Sequence, residues 1–152
     1  MNRLSKLLAE FLESPPTSIN PQRESWSFKP DDEGITIRIQ TPSNRTIAAR
    51  YTFPSQDSYV FGASAGSISS DPQIQSKIAN DILHSNPVTG ITERIIDNNI
   101  VLLGGRQNLQ SLPDNKIFES FEEDVKRITT SFNRVHKVLK QPPPHWIDAP
   151  LE

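Results

Sequence analysis

Three histidines, His84, His136 and His145, are the side chains of this chain best suited to hold a metal or move a proton near neutral pH. They fall at a helix end, inside a helix and in a tail. None has a histidine partner three or four positions away, and no H-E-x-x-H stretch occurs. LLGGRQN, from Leu102 to Asn108, has the glycines of a phosphate loop but not the G-x-x-x-x-G-K-[ST] spacing, so Gly104 and Gly105 are read as the end of a strand. DDEG, from Asp31 to Gly34, gathers acids before a glycine without the alternating ligands of a calcium loop; it reads as a solvated hairpin turn. GASAGS, from Gly62 to Ser67, is not a G-x-S-x-G elbow. Cysteine is absent, which excludes disulfides, thiolate nucleophiles and sulfur-ligated zinc. The expectation is a protein with no catalytic residue, no metal ligand and no cofactor: not an enzyme, and folding without bound metal or nucleotide.

The elements around these residues fit one domain. At 152 residues the chain is long enough for a real core. Leu, Ile, Val and Phe make up roughly a quarter of it, above the level of a disordered chain. A net charge of -2 gives no pull toward nucleic acid or an anionic membrane. No apolar run approaches a membrane span, and MNRLSKLLAEFLES is interrupted by Lys6 and Glu10 and lacks a small-residue cleavage site. The expected compartment is the cytoplasm.

Leu4, Leu7, Leu8, Phe11 and Leu12 have the spacing of an amphipathic helix, ended by Ser14-Pro15-Pro16. A strand-rich middle follows the loop to Arg23. Trp26 and Phe28 share a face; Ile35, Ile37 and Ile39 alternate with polar residues; so do Ile47, Ala49, Tyr51 and Phe53, then Tyr59, Phe61 and Ala63. Short turns between them predict an antiparallel meander, with Gly34 free to take a positive φ. Asp71 and Pro72 open a second helix that shows Ile74, Ile78 and Ile82 on one face and stops at Asn86-Pro87. GITERII and NIVLLGG form a second hairpin across Asp97-Asn98. Its strands are rich in Ile and Leu, so they are expected to lie centrally or to be covered on both faces.

The strongest pattern runs from Phe118 to Leu139, where Phe118, Phe121, Val125, Ile128, Phe132, Val135 and Leu139 alternate in steps of three and four. Ser120 and Glu123 have capping-box spacing, although Asp114 or Asn115 can start the helix earlier. Acids crowd the first turns and bases the last, as the helix dipole favours. A sheet of this size needs a cover, so the stripe is expected on the chain's own sheet; a partner helix is the alternative. Gln141-Pro142-Pro143-Pro144 ends the helix. The division is thus 1–140, a single α+β domain, and 141–152, a proline-rich C-terminal tail. Trp146 and Ile147 in that tail either latch back onto the domain or dock on another protein.

The order helix, meander, helix, hairpin, long C-terminal helix resembles the type III secretion chaperone-like fold, which includes the YbjN family. WSFKPDDEGITIRI is similar to the first strand pair of YbjN-type proteins, and IQSKIANDILHSN to their middle helix. The resemblance covers about residues 1 to 140; the tail and the loop before Trp26 depart from it. It implies a non-enzymatic protein that holds a segment of a client protein, as a chaperone or assembly factor, and it raises a homodimer, since secretion chaperones of this fold are commonly dimers. Tyr51, Phe53, Tyr59 and Phe61 are the candidate client contacts on the sheet, with plain core residues as the competing reading; Trp146 and Ile147 are the candidates in the tail. The alternative function is a small-molecule or enzymatic site whose polar residues converge only in three dimensions.

Overall fold

The computed structural model describes residues 3–13, 26–40, 45–83, 85–86 and 90–140. Helix α1 (Arg3–Glu13) buries Leu4, Leu7, Leu8 and Phe11, the spacing expected of its apolar face. The meander consists of β1 (Trp26–Pro30), β2 (Gly34–Gln40), β3 (Thr46–Ser55) and β4 (Ser58–Ser67). Helix α2 (Pro72–Asp81) is followed by a two-residue strand β5 (Ser85–Asn86), then β6 (Ile91–Ile96) and β7 (Asn99–Arg106), and α3 (Asp114–Lys140) closes the chain. The seven strands form one antiparallel sheet in the order β1-β2-β3-β4-β7-β6-β5.

Local chemistry explains most boundaries. Asp31 accepts from the backbone N–H groups of Glu33 (2.8 Å) and Gly34 (3.0 Å), closing the β1–β2 turn. Gly34 does not use a positive φ. It is needed because a Cβ there would collide with the carbonyl oxygen of Tyr51 on β3. Asp71 caps α2 by accepting from the Gln73 N–H at 2.8 Å, with Pro72 at the first helical position. Asp97 (φ 51°) and Asn98 (φ 63°) make the tight β6–β7 turn, a left-handed pair that Asp and Asn tolerate.

Some expectations are corrected. The α2 helix ends at Asp81, and Ile82 and Leu83 are buried beyond it rather than within it. Strand β7 runs through Gly104 and Gly105 to Arg106, and a Cβ on Gly104 would strike the ring of Phe61. Ser120 does not cap: its hydroxyl donates to the Lys116 carbonyl at 3.0 Å inside a helix that begins at Asp114. Strand β7 does lie centrally, between β4 and β6.

The three helices cover one face of the sheet. Phe121, Val125, Ile128, Phe132, Val135 and Leu139 are buried, so the α3 stripe faces the chain's own core. It lies over β4, β6 and β7, while α1 packs on β1, β2 and α3, and α2 on β6. Rings link the layers: Phe11 to Phe118 (6.2 Å between centroids) and Phe121 (5.7 Å), then Phe121 to Tyr59 (5.3 Å), Tyr59 to Tyr51 (5.6 Å) and Tyr51 to Phe61 (5.2 Å). Each such large side chain contributes about 1.5–3 kcal/mol on burial. Arg3 donates to the Leu112 carbonyl (2.8 Å) and pairs with Asp114 (2.7 Å), tying the start of α1 to the start of α3. Asp57, in the β3–β4 turn, accepts from the N–H groups of Leu109 (3.0 Å) and Gln110 (2.5 Å) and so positions the loop that leads into α3.

Candidate functional site

Four of the six sequence-predicted contacts fall within the described residues. Tyr51 and Tyr59 are fully buried and Phe61 nearly so, under α3. Phe53 is half-buried against the same core. Tyr51, Tyr59 and Phe61 come together as one aromatic cluster, but beneath the helix rather than on a surface. Trp146 and Ile147, together with His84, His145 and the whole tail, lie outside the described residues. His136 is buried on α3 with its ring 4.3 Å from that of Phe132. Among the described residues no group of three or more His, Asp or Glu side chains is placed to hold a metal ion.

One polar cluster reaches into this core. The Tyr59 hydroxyl donates to Asp124, which also accepts from Arg106 Nε (3.0 Å) and Nη2 (2.9 Å) on β7. Arg106 continues to Glu123 at 3.3 Å, and Glu123 accepts from Arg127. Burial pushes the Asp124 carboxyl up, against the downward pull of the Arg106 and Tyr59 hydrogen bonds. The Tyr59 hydroxyl is pushed far above its ordinary value, first by burial and then by the Asp124 charge. Such a triad has the residue types of an acid–base site. Its carboxylate, however, projects from α3 and is sealed between that helix and the sheet, and the arrangement works as a fixed bolt between β4, β7 and α3. A second bolt is Arg134, which pairs with Glu93 on β6 and donates to the Ile82 carbonyl at 3.0 Å.

The other face of the sheet carries none of the three helices. The strand register places Val60, Leu103, Val101 and Ile96 there, diagonal neighbours on β4, β7 and β6. Val60 is 46% exposed and Ile96 43%, the largest exposures among the big apolar side chains described. Beside them lies a shallow hollow of about 450 Å³ whose walls include Arg50, Thr52, Val60, Gly62 and Leu103, with Phe61 at its floor. Arg50 is held by Asp31, at 2.8 Å, and its guanidinium with two backbone N–H groups drives the Asp31 carboxyl well below the usual carboxylate range. On this face the alternation in β2 places the polar residues that alternate with Ile35, Ile37 and Ile39, namely Thr36, Arg38 and Gln40. The signal for the rest was the apolar residue in the wrong register, such as Val60 between Tyr59 and Phe61.

No protein-family model matches the chain, and a search of curated proteins finds no match. Among solved structures, the chain is similar to the type III secretion chaperone SycH of Yersinia pestis, crystallised in complex with a stable fragment of YscM2. The identity is 16% and the TM-score 0.42, over 83% of this chain and 98% of that one.

Proposed function

We propose that this chain is a non-enzymatic protein-binding module, a chaperone or assembly factor that holds a segment of a client protein. The observation that carries the reading is the open sheet face with its line of apolar side chains. Water-facing apolar residues that adjoin one another across three strands are what a partner surface needs. The reading rests on this face, not on the solved neighbour, whose likeness is too slight to transfer a partner. Tyr51, Phe53, Tyr59 and Phe61 then act from beneath, fixing the curvature and spacing of the strands that the client meets. A client is a protein rather than nucleic acid or membrane: the net charge of -2 gives the chain as a whole no attraction to either, and the apolar line offers no aromatic side chain for base stacking. The competing reading, an enzyme built on Tyr59, Asp124 and Arg106, is weakened by the burial of that carboxylate.

The test is affinity capture from cells that make the protein, read by mass spectrometry, with the full chain and with residues 141–152 removed. The expected result is one polypeptide retained in near-stoichiometric amount. Retention of nothing above background by either form overturns the reading. Loss of the client with the tail moves the contact to Trp146 and Ile147.

A further inference from the structure

The open face has a charge pattern as well as an apolar line. Its outward strand positions, read from the register, include Lys29, Arg38, Arg50 and Arg94 and no Asp or Glu among the described residues. The carboxylates nearest by register, Asp31 and Glu33, belong to the β1–β2 turn and are engaged with Arg50. Arg38 and Arg94 make no ion pair with the described residues. A basic face on a chain whose net charge is -2 is a local departure from the whole.

These two arginines also end a row that crosses the apolar line at Val101. Arg38 pairs with Ala48 on β3, and Ser64 on β4 pairs with Val101, which pairs in turn with Arg94. They stand at opposite ends of one cross-strand row, four strand spacings or about 19 Å long. An extended segment covers that distance in about six residues. We propose that this face takes an extended, acidic peptide segment of a partner protein, with apolar residues over Ala48 and Val101, flanked by Leu103 and Ile96, and carboxylates near Arg38 and Arg94. The assignment rests on the protein-binding reading above and names the chemistry of its client.

Charge complementarity also decides against a second copy as occupant. A two-fold axis through the centre of the row would lay Arg38 over Arg94 of the other copy, cation on cation. A nucleic acid would meet the cations but not the apolar line, which offers no aromatic side chain for base stacking.

The test pans a random decapeptide phage library against the purified full chain and measures the enriched peptides by fluorescence anisotropy. Enrichment of sequences with Asp or Glu on both sides of an apolar centre is expected. Val101→Ser and Ile96→Ser, each confirmed folded by its melt, should weaken the best peptide about tenfold. Arg38→Glu with Arg94→Glu should turn the preference toward basic peptides. No enrichment, enrichment without acids, or binding indifferent to both serine variants overturns the proposal. So do displacement of the peptide by oligouridylate, a dimer that Val60→Asp dissociates, and peptide binding that appears only when residues 141–152 are removed. If the affinity capture retains a client equally well with Val101→Ser and Ile96→Ser, this surface is wrong while the protein-binding reading stands.

Discussion

The two faces of the sheet carry apolar residues for opposite reasons. Beneath α3, Tyr51, Tyr59, Phe61, Ile100 and Leu102 are almost wholly shielded, and the Tyr59 hydroxyl is locked to Asp124, itself paired with Arg106. On the other side Val60 and Ile96 keep nearly half their surface in water. The covered face is where stability resides; the open face can change with little effect on folding and is therefore free to serve a partner. The largest test of this contrast is Ile128→Asp. Ile128 is fully buried on the α3 stripe, so the substitution places an unpaired carboxylate in the core and should cost several kcal/mol, enough to unfold a domain of ordinary stability. A cooperative thermal melt like that of the unaltered chain would remove α3 from the sheet.

Within the covered face, two tyrosines 5.6 Å apart should respond differently to the loss of one oxygen. Tyr59→Phe deletes the donor to Asp124 and should cost about 1.5–3 kcal/mol, since the bond is to a charged group. The Tyr51 hydroxyl is buried with no hydrogen-bond partner among the described residues, so Tyr51→Phe should be neutral or stabilise by about 1 kcal/mol. Urea midpoints of the two variants settle the order; equal losses would mean that both hydroxyls belong to one network.

Much of this arrangement is legible in the sequence because it is written in periodicity. The steps of three and four from Phe118 to Leu139 and the alternation of Ile35, Ile37 and Ile39 each identify a buried face without reference to anything distant. Asp71-Pro72 and Asp97-Asn98 identify a helix start and a turn by local chemistry. What alternation does not say is which apolar register is covered. In NIVLLGG both registers are apolar, which fits a strand buried on two faces or one with a sticky open side, and the structure shows the second. The Tyr59–Asp124–Arg106 bolt joins residues 65 and 18 positions apart, so no local pattern announces it. The short strand β5 pairs through only two residues, Ser85 and Asn86, too few to leave a signature.

On the open side the ion pair of Arg50 with Asp31 makes a smaller, pH-dependent contribution. The Asp31 carboxyl is held below its ordinary value of 3.8 by the Arg50 hydrogen bond and by the N–H groups of Glu33 and Gly34. A depressed folded-state value means that the unfolded chain binds the proton more readily, so the stabilisation is present above about pH 4 and lost as the pH falls below it. Solvent screening keeps the effect slight. Asp31→Asn should therefore leave a chain whose stability falls less steeply between pH 4 and pH 2, measured by urea midpoints across that range. An unchanged acid slope would show that the pair is not formed in solution.

The smallest expected effect completes the comparison by placing the substitution used on Ile128 at the opposite face. Val60 sits on β4 with its side chain in water, beside Thr52 on β3 and Gly105 on β7. An Asp there remains hydrated, so it pays none of the desolvation that makes Ile128→Asp severe. What remains is the poorer fit of Asp to a strand, about 1 kcal/mol or less, and the loss of partial apolar contact with Leu103. The melt of Val60→Asp should stay cooperative and shift by only a few degrees. The same variant should bind an acidic peptide more weakly, because it sets a carboxylate on the basic face that the ligand's carboxylates approach. If Val60→Asp instead unfolds the chain, the face is not open in solution, and the covering element is a second copy or a segment of the chain itself.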